Sequence, residues 1–293
     1  MYKMKILIIG LLEENSGKTT FASSLISALI SEGFDSVGFK PLGNTELWEH
    51  PEVLEESRRQ KMVITKDSII LYKSSKEKEP INLLNPFGGL LLPVLPEKFN
   101  SLNSFNATLY SPNMRMGISR LTSCNNKMKN IHFINEGAIN KSTKNIGYEI
   151  LDLVSILDNL VKVDDNYLFN LISGGAINEI DKCLNYLENR HEAIVIESNS
   201  NVASPTINSI NSDLVIAVTP GSAIVIDGKR FRKAIELILT NGKPWTVKTQ
   251  EVIPLTNYIY SIELPLLQDQ IEGYSKDSLS YIVNAIKELH NEK

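Results

Sequence analysis

Cysteine is scarce: Cys124 and Cys183 are the two in 293 residues, and they lie far apart in the chain. Neither sits at the short spacing of a zinc motif, and the four histidines, His50, His132, His191 and His290, are scattered. Both facts argue against a structural zinc site. Long apolar runs are missing too, and none approaches the roughly 20 residues that a membrane-spanning helix needs. Charge of one sign is also lacking. Thirty Lys and Arg against 34 Asp and Glu leave a net charge of −4. That excludes bulk attraction to nucleic acid or to an anionic membrane as the organising property. No internal repeat or low-complexity segment is visible. The N-terminal apolar run is short and leads straight into a loop, so the expectation is no cleavable signal and a cytoplasmic protein.

What is present is a substantial apolar fraction, 42% of residues, enough for a sizeable core. The length fits one large domain or two ordinary ones. The most informative stretch lies at the start. Met4-Lys5-Ile6-Leu7-Ile8-Ile9-Gly10 is an apolar run of strand length. It is followed by Leu11-Leu12-Glu13-Glu14-Asn15-Ser16-Gly17-Lys18-Thr19-Thr20, and then by Phe21, Leu25, Ile26, Leu29 and Ile30 at helical spacing. Strand, loop and helix in this order form a phosphate site, because loop N–H groups and the helix N-terminus both face an anion. Lys18 can reach the outer phosphates and the Thr19 hydroxyl can hold Mg²⁺. The strict pattern places glycine where this chain has Leu12, and Gly10 stands two residues earlier.

A short strand, Ser36 to Lys40, completes a β-α-β unit and stops at Pro41. Such units have parallel strands with a right-handed crossover. Ligands of open α/β sheets bind at the carboxyl ends of strands, where Lys40 falls. A second strand-end group is Glu197, which closes the apolar run Ala193-Ile194-Val195-Ile196. A carboxylate there can bind Mg²⁺ or orient a nucleophile in phosphoryl chemistry.

The remaining elements are read from periodicity. Residues 45–80 look helical and charged, and Pro80 to Pro96 reads as an ordered apolar loop. Between about 98 and 145 the α/β rhythm breaks. Ala107-Thr108-Leu109-Tyr110, Arg115 to Arg120 and Asn130 to Asn135 read as short strands of an inserted meander. Arg115, Arg120, Lys127, Lys129, Lys141 and Lys144 give that region a basic surplus, read as an exposed face, with a surface for an anionic substrate or partner as the alternative. Ile146–Leu160, Ile177–Leu187, Ala223–Leu239 and Leu279–Leu289 fit helices. Tyr167–Ile172, Asp213–Pro220, Trp245–Gln250 and Tyr258–Pro265 fit strands.

Several of these landmarks, in this order, resemble the dethiobiotin synthetase family, within the broader group of phosphate-loop proteins that includes the MinD/ParA ATPases and the cobyrinic-acid amidases. The matching residues are Gly17-Lys18-Thr19, Phe39-Lys40-Pro41-Leu42, Asp67-Ser68, Asn85-Pro86, Glu197, Gln250 and the stretch Glu263-Leu264-Pro265-Leu266-Leu267. The resemblance covers roughly residues 1–97 and 170–290. It implies a three-layer α/β/α P-loop NTPase with a mainly parallel sheet, one domain over 1–293 with a small β-rich insertion at about 98–145. It implies ATP and Mg²⁺ as cofactors, with Glu14, Asn15, Ser16, Gly17, Lys18, Thr19 and Thr20 around the phosphates. Thr19, Asp67 and Glu197 would hold the metal. Gln250, Leu264, Pro265 and Leu266 would line the base. Lys18, Lys40 and Glu197 would carry catalysis: ATP hydrolysis or phosphoryl transfer, or ligation of a small carboxylate or amine. The partners implied are nucleotide and a small acidic or amine substrate; composition adds the expectation of no membrane and gives no strong nucleic-acid signal. Pairing into a homodimer is suggested by related folds alone.

Two other likenesses set the alternatives. The run Asn15-Ser16-Gly17-Lys18-Thr19-Thr20 is similar to the GTP-binding protein of molybdopterin-dinucleotide synthesis, which would make the ligand GTP. A MinD/ParA-type switch would use nucleotide to control partner binding, but the loop has Leu11-Leu12-Glu13-Glu14 where such dimers carry an early lysine. A binding module that kept the fold without hydrolysis is the third reading.

Overall fold

A computed structural model describes residues 3–125, 127–239, 241–267 and 273–291. Eleven strands follow one another among them: β1 (Met4–Gly10), β2 (Ser36–Phe39), β3 (Leu42–Glu46), β4 (Phe87–Leu91), β5 (Met116–Cys124), β6 (Met128–Ile134), β7 (Leu160–Lys162), β8 (Ala193–Glu197), β9 (Leu214–Thr219), β10 (Ser222–Asp227) and β11 (Tyr260–Glu263). The protein is α/β with mixed sheets, and the chain divides into two compact units. The first takes Met1–Pro41, Ile70–Leu84 and Asp181–Lys293, and the second takes Leu42–Ile69 and Asn85–Ile180.

The first unit holds a six-stranded sheet in the order β11-β10-β9-β1-β8-β2. β9, β1, β8 and β2 run parallel, while β10 and β11 add an antiparallel edge. β1 is interior, and Ile6, Leu7, Ile8 and Ile9 are all fully buried. An uninterrupted apolar run is what a strand covered on both faces requires. Alternate residues Met4, Ile6 and Ile8 join a core with Phe21, Leu25, Ile26 and Leu29 of α1 (Lys18–Ser31) and with Ile282, Val283 and Ile286 of the helix Ser280–Asn291. The helical spacing read at 21–30 is the stripe that makes this contact.

The second unit has its own five-stranded mixed sheet, β3-β4-β5-β6-β7. Its core gathers Leu90, Leu92, Ile118 and Ile134 with Val53 and Leu54 of the helix Glu52–Gln60 and Ile150 and Leu153 of the helix Lys144–Ser155. The irregular region read at about 98–145 lies inside this unit, which also takes in 42–69 and 146–180.

Five segments depart from the pattern reading, each for a local reason. Pro80–Pro96, read as a loop, holds a helical turn at Ile81–Leu84 and then β4, whose buried residues pair with β3 and β5. Ala107–Leu109 belongs to the helix Leu102–Leu109, begun by Ser101, whose hydroxyl accepts the Ser104 N–H. Tyr167–Asn170 is helical as well, because Asp164 caps it by accepting the Tyr167 N–H at 2.8 Å. Caps of this kind outweigh aromatic and β-branched content in a short run. The stretch read as one helix, Ala223–Leu239, is β10 followed by a helix at Gly228–Ile238, capped by Asp227. Ile224, Val225 and Ile226 pair with β9, as β-branched residues favour. Trp245–Gln250 is two helical turns, Pro244–Thr246 and Thr249–Val252, with a single antiparallel bridge at Lys248.

The basic surplus is not one exposed face. Arg120 is fully buried and donates to Val63 O, Asn85 O and the Thr122 hydroxyl. Burial pushes its guanidinium down to about 9. Arg115 forms an ion pair with Glu46, and Lys141 one with Asp165. Among the described residues no helix is long and apolar enough to cross a membrane.

Candidate functional site

The site lies at the carboxyl ends of β1, β8 and β2. Parallel pairing fixes what meets there. Ile8 is aligned with Glu197, and Phe39 with Ile196. Lys40, one residue past β2, therefore comes level with Glu197 across neighbouring strands. Its backbone N–H donates to Leu84 O at 2.7 Å, which holds the chain where the strand ends.

Beyond Gly10 the chain forms the loop and enters α1. Asn15 and Gly17 both have left-handed backbones, with φ of +53° and +83°. Asn tolerates that region and Gly adopts it without cost, so these two residues turn the loop back over the strand end. Gly17 is the residue before the helix, α1 begins without a side-chain cap, and no acidic residue occupies its first turn. The first N–H groups of such a helix need a partner from outside it.

Gly10 has a second use. A Cβ there would overlap the Ser16 hydroxyl and stand 2.7 Å from Lys18 Nζ. Its absence lets both side chains fold over the strand end, where Lys18 Nζ donates to Ser16 Oγ at 3.0 Å. Lys18 is 8% exposed and Ser16 1%. The displaced glycine of the sequence is thus the one that admits the lysine.

Glu197 is the centre of the polar contacts. It is fully buried, and one oxygen, Oε1, accepts from the Thr19 hydroxyl at 2.7 Å and from Lys40 Nζ at 2.5 Å. Lys40 is 4% exposed. A buried carboxylate is tolerated when it is paired and hydrogen-bonded in this way. Thr19 and Glu197 thereby present two oxygens side by side. Mg²⁺ takes oxygen ligands, keeps several waters and is usually held by one or two protein groups together with substrate phosphates. Among the described residues no group of three or more acidic, histidine or cysteine side chains gathers to cage a metal by itself. The donor set fits a Mg²⁺ that arrives with phosphates.

The other sequence candidates fall as follows. Glu14 and its neighbour Glu13 are exposed, so the acidic pair points to solvent. Thr20 lies in the first turn of α1, where its carbonyl accepts from Ser23 and Ser24. Gln250 reaches the loop backbone: its Nε2 donates to Leu11 O at 2.6 Å. Leu264 is buried in the core of the first unit, whereas Pro265 and Leu266 are exposed. Asp67 belongs to the second unit, in the first turn of the helix Lys66–Ser74. Two participants are not legible in the sequence, Asn201 and Lys248: Lys248 donates to Asn201, and Asn201 donates to Gln250. Asn201 lies in the polar loop that follows Glu197, and that position was the available signal.

No protein-family model, no curated protein and no solved structure matches this chain.

Proposed function

We propose that the first unit binds a nucleoside triphosphate, ATP in preference to GTP, together with Mg²⁺, and hydrolyses it or transfers its γ-phosphoryl group. The observation that carries this reading is the convergence on one strand-end site of Lys18, Thr19, Lys40 and Glu197, with the last three meeting at a single carboxylate oxygen. The likeness to dethiobiotin synthetase supports a three-layer P-loop arrangement for this unit and a small amine or carboxylate as acceptor. The preference for ATP over GTP rests on the resemblance to dethiobiotin synthetase and on the lack of an Asn-Lys-x-Asp guanine motif in the sequence, with GTP as the alternative ligand. ATP and Mg²⁺ are available in the cytoplasm, the compartment this reading requires.

In such chemistry the protein acts by position and charge rather than by covalent steps. Lys18 and the loop N–H groups hold the outer phosphates. Thr19 and Glu197 hold the metal, which supplies charge neutralisation to the phosphate oxygens when bound. Lys40 offsets the negative charge that develops on the transferred group, from a buried setting where such an interaction is stronger than in water. The metal role of Asp67 is carried by the resemblance alone.

Phosphate release from ATP, followed across a Mg²⁺ titration, tests this. Glu197→Gln keeps the shape of the side chain and removes its charge. It should lower turnover at least ten-fold and blunt the Mg²⁺ requirement. A variant with unaltered turnover and unaltered Mg²⁺ dependence would remove Glu197 from the site.

A further inference from the structure

A chain of hydrogen bonds runs from Lys248 through Asn201 and Gln250 to the start of the loop. Its polarity is set from one end. An ammonium group has donors only. Lys248 Nζ lies 2.9 Å from Asn201 Oδ1, so that atom of the amide is the oxygen. Asn201 Nδ2 therefore faces Gln250 Oε1, at 3.1 Å. Gln250 Nε2 is then the atom that meets Leu11 O, at 2.6 Å. Amide orientations follow from the network of partners, and here each step fixes the next.

The two segments that carry this chain are also joined through their backbones. Thr249 N–H donates to Asn201 O at 2.8 Å and Ala203 N–H to Val247 O at 2.9 Å, beside the Val202–Lys248 bridge. Asn201 is buried. At the far end, Leu11 is the first residue beyond β1, and its own N–H donates to Val218 O of β9 at 3.0 Å. Both backbone groups of Leu11 are thus held, the N–H by the sheet and the carbonyl by Gln250. The direction in which the loop leaves the strand depends on both.

We infer that Gln250 is a positioning residue of the phosphate loop, anchoring the Leu11 carbonyl with its amide held by Asn201 and Lys248, and that it does not read the nucleobase. What the loop binds rests on the function proposed above, while the anchoring stands on the hydrogen bonds alone. An anchor of this kind acts on the phosphates. Its loss weakens every ligand that presents a triphosphate, with or without a base. A base contact affects only ligands that carry the base.

Gln250→Glu separates the two in the full-length protein. It keeps the length of the side chain and an acceptor for Asn201, but sets a carboxylate oxygen against the Leu11 carbonyl. Two measurements are needed: hydrogen exchange of backbone amides 12–17 without nucleotide, and calorimetric affinities for ATP and for inorganic tripolyphosphate, both with Mg²⁺. The expected result is faster exchange across 12–17 and an equal loss of affinity for both ligands. One neutral hydrogen bond corresponds to about three- to ten-fold. Asn201→Asp, which keeps the acceptor for Lys248 and loses the donor to Gln250, should give a smaller change of the same kind. Combined with Gln250→Glu, its effect should be less than additive. Unchanged exchange overturns the anchor, and so does weaker ATP binding with tripolyphosphate binding intact. Faster exchange in a protein whose wild type binds neither ligand supports the anchor and overturns the nucleotide reading.

Discussion

Lys40 Nζ stands 2.5 Å from Glu197 Oε1, and both side chains are almost completely buried, 5% and 1% exposed. The pair joins the ends of two neighbouring parallel strands. Taking two charges out of water is costly, and the mutual attraction and the Thr19 hydrogen bond offset that cost only while all partners stay in place. The pair therefore has a structural consequence apart from any chemistry. Lys40→Met should destabilise the full chain by about 3–5 kcal/mol in urea unfolding, the usual result of removing one member of a buried pair. Lys40→Met with Glu197→Leu should recover most of the loss. A single variant as stable as wild type would show that the pair is not held as described.

Gly10 gives a complementary prediction. Gly10→Ala places a methyl group against Ser16 and Lys18. Overpacking of this size costs about 1–3 kcal/mol. Mg·ATP affinity should fall as well, about ten-fold or more, because the displaced group is the Lys18 ammonium. Thermal unfolding and calorimetry on the same variant separate the two effects. Full affinity in a folded Gly10→Ala protein would mean that Lys18 does not need its position over the strand end.

His132 predicts a loss of stability in mild acid. It is buried in β6, its Nδ1 bonds Asp158 O at 2.7 Å, and its Nε2 has no hydrogen-bond partner. Burial lowers its pKa below 6.5, and the nearby Arg120 charge adds to the effect although the Asp158 carbonyl opposes it. The unfolded chain therefore takes up the proton first. This contribution is complete above pH 6.5 and is lost as the pH falls through 6.5 towards the folded value. His132→Gln should flatten the stability curve in that range. A wild-type curve that is level from pH 7 to 5 would contradict the burial argument.

Glu32 acts at lower pH. Hydrogen bonds and charge from Lys276 and Lys287 hold its carboxyl at about 2, against an ordinary value of 4.5. Its stabilisation is present above pH 4.5 and is lost as the pH falls from there towards 2. Because Lys276 and Lys287 are exposed and the carboxyl is partly so, salt should weaken the effect. Glu32→Gln should remove the salt-sensitive part of the acid limb, and an acid limb identical in the variant would exclude these ion pairs as its source.

The candidate site was more legible in the sequence than the fold around it. β1, α1, β8 and the ends of β2 and β8 could be read because burial on both faces forces unbroken apolar runs and helix packing forces a stripe. Lys18, Lys40 and Glu197 stand where those runs stop. The second unit was not legible as a separate body, because its segments 42–69 and 85–180 come from two stretches of chain and no local pattern records that they join. Arg120 looked like a surface charge, since nothing in its neighbours reveals the three acceptors that bury it. Resemblance alone makes Gln250 a base contact. Its bond to Leu11 spans 239 residues of sequence and could not be read from spacing.

The central claim, that the Lys18 loop is a nucleotide-phosphate site, is tested most directly by calorimetric titration of ATP with and without Mg²⁺ into wild type and Lys18→Ala. Wild type should bind ATP saturably and more tightly with the metal. The variant should lose at least ten-fold in affinity while unfolding at nearly the same temperature. Equal binding of Mg·ATP by the two proteins would contradict the account.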